Sequence, residues 1–257
     1  GTTADGGNDP TERMRINNAG DVTIGNAASA RARLEVYDSG VSAAFVAGTL
    51  STWRVMQVRN NIESATGTAA GIAFGGDGSS DTETAGIVGI SDNSTGGVVQ
   101  LGFLTATGNN SIEAMRIDSD QRLLIGHTSS PTDIWGGQEN ALQVIGNSWP
   151  TTGLGLHNYA NDTTSPNISF SKSRNGTVGT SGTIVQDGDR LGFINFAGDD
   201  GTDIAPSGGA IDIQVDGTPG ANDMPGRMLL RTASDGSSTT TERVKITSKG
   251  AMNFDSG

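Results

Sequence analysis

The sequence predicts an all-β protein of elongated, repetitive build, and three observations carry that prediction. Glycine supplies 39 of the 257 residues, roughly twice its usual share of about 7%, so few windows escape a residue that weakens helices. Wherever apolar residues cluster they alternate with polar ones, the two-residue period of a strand with one covered face. Ile211, Ile213 and Val215 against Asp212, Gln214 and Asp216 are the clearest case. One short string also recurs three times, the mark of a repetitive architecture.

That string orders the chain. Glu12-Arg13-Met14-Arg15-Ile16-Asn17 returns as Glu113-Ala114-Met115-Arg116-Ile117-Asp118 and again as Glu242-Arg243-Val244-Lys245-Ile246-Thr247. Each copy runs through a turn (Ala19-Gly20-Asp21, Ser119-Asp120-Gln121, Ser248-Lys249-Gly250) into a second alternation: Val22 and Ile24, Leu123 and Ile125, Met252 and Phe254. The first two copies continue to a third element, Leu34 with Val36 and Leu142 with Val144.

The stretches between the strings correspond as well. Gly71-Ile72-Ala73-Phe74 matches Phe193-Ile194-Asn195-Phe196, Ala85 to Ile90 matches Gly209 to Ile213, and Val99 to Thr105 matches Met228 to Thr232. The second stretch is longer through insertions at 132–140, 175–188 and 217–225. Asp-Gly pairs such as Asp77-Gly78, Asp187-Gly188, Asp200-Gly201, Asp216-Gly217 and Asp235-Gly236 supply turns between the alternations. The expected division is a β shaft unit with the end of a preceding repeat (1–40), a first knob (41–110), a second shaft unit (111–145), a second knob (146–240) and the start of a third shaft unit (241–257). The residues therefore read as part of a longer array.

Composition limits how such a chain is stabilised. Leu, Ile, Val and Phe together make up about one fifth of it, near the level where chains lack the apolar surface to offset their ordering entropy. A shaft strand offers two apolar side chains, and an isolated hairpin of that size is marginal in water. Three chains around a common axis would pool those residues into one core. The expected fold is an elongated trimeric fibre in which short intertwined β shaft units alternate with β-sandwich-like knobs.

At net charge −12 the chain repels phosphate backbones and anionic lipids, so neither nucleic-acid binding nor membrane insertion is expected. The most apolar window, Val41 to Leu50, already holds Ser42, Gly48 and Thr49 and is too short to span a bilayer. The absence of cysteine excludes disulfides and thiolate metal sites.

The strings carry a resemblance. Glu12 to Gly25, Ser173-Arg174-Asn175-Gly176-Thr177-Val178-Gly179 and Val215 to Arg227 resemble repeat sequences of bacteriophage tail-fibre proteins, common in phages of marine and cyanobacterial hosts. The resemblance implies a homotrimeric fibre on the virion, outside the cell, acting in virion assembly and host attachment. Its implied partners are copies of itself, other tail or baseplate proteins, and a host surface glycan or protein receptor. In many such proteins a self-cleaving intramolecular chaperone follows the last Met-Arg-Ile unit. The present residues run to Gly257 and do not include it, so they do not themselves support tip location or self-cleavage, and whether such a domain follows stays open.

Chemistry is expected to be absent: no catalytic residues, no metal ligands, no cofactor. Asp187, Asp189, Asp199, Asp200, Asp203, Asp212 and Asp216 are numerous, but most flank glycines, where Asp is favoured for turn geometry. Gly75 to Asp81 has its last Asp one place late for a calcium-binding β-roll and does not recur in tandem. His127 and His157 have no patterned partners for zinc or for a nucleophilic triad. Candidate receptor contacts are Trp135, Trp149, His157 and Tyr159, as aromatic platforms, against the plainer expectation that Trp149 packs under a loop. Glu12 with Arg15, Glu113 with Arg116 and Glu242 with Lys245 are candidate interchain ion pairs, because residues three apart on a regular strand face opposite ways. Two rival functions remain: a glycan-binding or glycan-degrading tailspike, and a calcium-dependent bacterial repeat adhesin.

Overall fold

The computed structural model describes residues 2–3, 10–11, 14–16, 22–25, 34–37, 46–47, 49, 57–60, 66–75, 84–92, 98–107, 110–132, 134 and 139–255. The all-β expectation is met: among the described residues sixteen strands stand against a single helical turn. Strands β1 (Thr2–Thr3) and β2 (Pro10–Thr11) form a small pair. β3 (Met14–Ile16), β4 (Val22–Gly25) and β5 (Leu34–Tyr37) form a three-stranded sheet.

A six-stranded sheet holds β6 (Ala69–Gly75), β7 (Thr84–Ser91), β8 (Val99–Thr107), β9 (Asn110–Ile117), β10 (Leu123–Ile125) and β11 (Leu142–Val144), in sequential order. The turn α1 (Trp149–Thr152) follows. A five-stranded sheet then takes β12 (Arg190–Ala197), β13 (Ser207–Val215), β14 (Gly226–Ala233), β15 (Thr240–Ile246) and β16 (Met252–Phe254). The sheets run straight across the expected shaft–knob boundaries, since β9 and β15 each belong to both. Each large sheet is a single layer, and no second sheet packs on it among the described residues.

The recurring strings adopt one pairing plan. Met14 and Ile16 pair antiparallel with Ile24 and Val22, Met115 and Ile117 with Ile125 and Leu123, and Val244 and Ile246 with Phe254 and Met252. The third element of the first two copies adds in parallel, with Ile24 beside Val36 and Ile125 beside Val144. The hairpin turns also agree. Gln121 N donates to Asp118 O at 3.1 Å and Asp118 N to Arg122 O at 3.0 Å; Gly250 N donates to Thr247 O and Thr247 N to Ala251 O, both at 2.9 Å. The third loop residue takes a left-handed backbone, φ 66° at Gln121 and 77° at Gly250, the conformation that favours glycine.

One irregularity is shared. Phe103 faces Met115 and Leu104 faces Glu113, leaving Ala114 as an extra residue. Leu230 faces Val244 and Arg231 faces Glu242, leaving Arg243 extra. A β-bulge of this kind shifts the side-chain alternation by one residue.

Candidate functional surfaces

Directly paired residues share a face, so the register defines rows that cross each sheet. In the six-stranded sheet one row is Ile72, Ile87, Phe103, Met115, Ile125 and Val144, apolar in every strand. The adjacent row is Ala70, Gly89, Leu101, Ile117, Leu123 and Leu142. The five-stranded sheet repeats the plan with Ile194, Ile211, Leu230, Val244 and Phe254, beside Gly192, Ile213, Met228, Ile246 and Met252.

These faces are open in the single chain. Ile72, Ile87, Leu101, Leu142, Ile194, Met228, Leu230, Met252 and Phe254 are all exposed, Phe254 at 73%. The buried apolar residues among those described are only Leu124, Val185, Ala210, Val215 and Leu229. The chain exposes 18282 Å², against about 10,600 Å² for a compact monomer of its mass. The alternation that predicts one covered face is therefore present, and among the described residues these rows stay largely uncovered, Phe170 lying over the Gly192 position.

The opposite faces hold the charged groups. Arg116 grips both carboxylate oxygens of Glu113 and also donates to Gln100; the two side chains are 14% and 16% exposed. The hydrogen bonds that Arg116 donates to Glu113, with that carboxylate's charge, raise the Arg116 pKa against the opposing cost of burial. Lys245 reaches Glu242 at 3.3 Å. Both pairs correct the expectation that residues three apart on a strand cannot pair within one chain. The bulge residues Ala114 and Arg243 bring Glu113 and Glu242 onto the face of Arg116 and Lys245. Glu12 lies outside the described residues; Arg15 stands in β3 opposite Thr23.

Asp212 is a second correction. Alternation places it on a solvated face, yet it is fully buried. Arg190 forks onto it with Nε and Nη2 at 2.9 and 3.0 Å, Gln214 Nε2 donates at 2.9 Å, and Arg231 Nε stands 3.2 Å away. Arg190 also lies over the Phe193 ring, 4.0 Å from its centroid, a cation–π contact. Sequence reasoning missed this cluster because its members lie on three strands. The only local signal is a charged residue midway along the apolar alternation of Ile211 and Ile213.

The other aspartates act on the backbone, as turn chemistry predicts. Asp199, Asp200 and Asp203 accept from the amides of Gly201, Thr202 and Ala205 at 2.7–2.9 Å. Asp118 takes Arg122 N at 2.9 Å, Arg122 Nε at 2.6 Å and Asp120 N at 3.0 Å. Burial pushes the Asp118 pKa up, but the bonds from Arg122 outweigh it and hold the carboxyl below its ordinary 3.8. Asp189 receives the Arg174 fork at 2.6 and 2.8 Å and Gln186 N at 3.0 Å. Those bonds, led by that from Arg174, hold it well below the usual carboxylate range and pin the 175–188 insertion at its base. Arg227, 3.2 Å from Asp216, does the same for 217–225.

The aromatic candidates are presented to solvent. Trp149 is 85% and Tyr159 94% exposed, so the expectation that Trp149 packs under a loop is not met. The His157 ring folds over Gly155, where a Cβ would meet Nε2 at 2.7 Å. His127 stands in the turn after β10, its Nδ1 2.8 Å from Ser129 O. Trp135 lies outside the described residues.

The described strands form single-layer sheets that each leave an apolar face open, an all-β fold. The solved structures agree. Over 85% of its length the chain superposes on the carboxy-terminal domain of the bacteriophage T5 L-shaped tail fibre with its intramolecular chaperone domain, at TM-score 0.64 and 14% identity. A second structure of that carboxy-terminal domain gives TM-score 0.59 at 15% identity. The chain spans 61% of the first and 88% of the second. No protein-family model matches, and no curated protein does either.

Proposed function

We propose that this chain is a structural segment of a phage tail fibre, non-catalytic, assembled from three copies on the virion and serving assembly and host attachment. The carrying observation is the apolar face that each large sheet leaves exposed among the described residues. A continuous face of that size is an interface in waiting, and its exposure would be costly in water at roughly 25 cal/mol per Å². Threefold closure puts the three faces on the axis and turns the Arg116 and Asp212 faces outward. The fold likeness to a tail-fibre domain supports the same reading.

On this reading Trp149 and Tyr159, already exposed, are available to a host receptor. Electron microscopy of the purified chain tests the proposal: a thin rod with periodic swellings is expected, and a compact particle would refute it.

A further inference from the structure

We propose that the cleft above Asp212 binds the oxyanion of an acidic sugar, a carboxylate or a sulfate ester. The cleft, of about 220 Å³, is lined by Arg190, Arg231, Ser207, Ser238, Thr239 and Thr240. A volume of that order takes a single sugar unit better than a drug-sized ligand.

The electrostatics favour an anion. Two guanidinium groups share one carboxylate, that of Asp212, so the site keeps a net positive charge within a chain of net charge −12. Glu242 faces Arg231 across the strands, and its carboxylate reaches Lys245 at 3.3 Å. Arg231 is the incomplete member. Its Nε is buried and, although close to Asp212, is not aligned to donate. Its Nη atoms donate to no group among the described residues. A guanidinium fork with free donors is the usual partner of a carboxylate or sulfate.

The rim supplies the second half of the argument. Ser238, Thr239 and Thr240 bring hydroxyls to the mouth, groups that exchange hydrogen bonds with sugar hydroxyls as donor or acceptor. The site lies on the face opposite the apolar rows, so association through those rows leaves it open. Diffuse attraction cannot explain anion binding here, because the chain as a whole repels anions.

Saturation-transfer NMR on the full chain tests this, with glucuronate, glucose 6-sulfate, glucose and inorganic sulfate as probes at millimolar concentration. One or both acidic sugars should bind and glucose should not; which one binds identifies the oxyanion. Arg231→Gln should weaken binding at least about tenfold, and Arg231→Lys, which keeps charge without the fork, should also weaken it. Arg243→Gln, whose guanidinium is held by Thr232 and Ser234, should bind as the parent does. Melting curves establish that each variant is folded; if Arg231→Gln is not, Arg231→Lys decides. The proposal falls if neither acidic sugar binds, if the folded Arg231 variants bind unchanged, or if inorganic sulfate competes as well as the sugars (an adventitious ion only). Sedimentation of the same samples reports association separately, so failure here leaves the fibre reading intact.

Discussion

The two large sheets share a topology, a register and a bulge, yet they treat their two faces differently. On one face the central row is apolar in both sheets: Ile72 answers to Ile194, Ile87 to Ile211, Phe103 to Leu230, Met115 to Val244 and Ile125 to Phe254. On the other face the solutions diverge. Where the first sheet sets Val88 between Gly71 and Gly102, the second sets Asp212 between Phe193 and Leu229. The first needs its glycines, since a Cβ at Gly71 would meet Ile87 O at 2.6 Å and one at Gly102 would meet Val88 Cγ1 at 3.0 Å. The second answers its buried charge with Arg190 and Arg231. A face held apolar in both copies is under one structural demand, whereas a face solved twice in different ways is free to carry something local.

The largest effect expected from breaking this comparison lies on the shared face. Phe103→Asp and Leu230→Asp occupy equivalent positions, and each should abolish association, because an unpaired carboxylate cannot be buried at an apolar interface. Loss of the high-mass species in both variants checks this; association that survives either one denies the equivalence.

The divergent face comes next. Asp212→Ala leaves Arg190 and Arg231 without their shared anion and should cost about 2 kcal/mol, reduced from the fully buried case because both guanidinium groups are partly solvated. Val88→Ala removes only two methyl groups and should cost about 1 kcal/mol. Comparative denaturant melts measure both.

The ion pairs are a finer probe. Arg116→Ala breaks a largely buried fork and should cost about 1–2 kcal/mol, while Lys245→Ala, at a pair about one-third exposed, should cost below about 0.5 kcal/mol.

The hairpin turns give the smallest difference. Gln121 holds a left-handed backbone that Gly250 adopts freely, so Gln121→Gly should stabilise by about 0.5–1 kcal/mol. The same turns differ in acid response. Asp118 has a folded pKa below its ordinary 3.8, so its contribution is complete above that value and is lost as pH falls through the lower folded one. Thr247, at the same turn position, cannot respond. Acid melts of the parent should therefore show a downturn that Asp118→Asn flattens.

Much of this was legible in the residues. The alternation around Ile211 and the strings at Met14, Met115 and Val244 fix strands, hairpins and their equivalence, because side-chain period is a local property. The bulge was not legible: Ala114 and Arg243 have nothing in common as residues, and only the partner strand shows that each is supernumerary. For the same reason regular alternation points Glu113 and Glu242 away from Arg116 and Lys245. Asp212 was read as solvated because Arg190 and Arg231 reach it across strands, each about twenty residues away in sequence. The exposure of Trp149 follows from a one-turn helix that buries none of its residues, which no local pattern announces.

The central claim is that three copies close their apolar faces around one axis. Sedimentation equilibrium of the purified chain at micromolar concentration tests it most directly. A mass three times the 26.2 kDa of one chain is the predicted result, and a mass equal to one chain would contradict it.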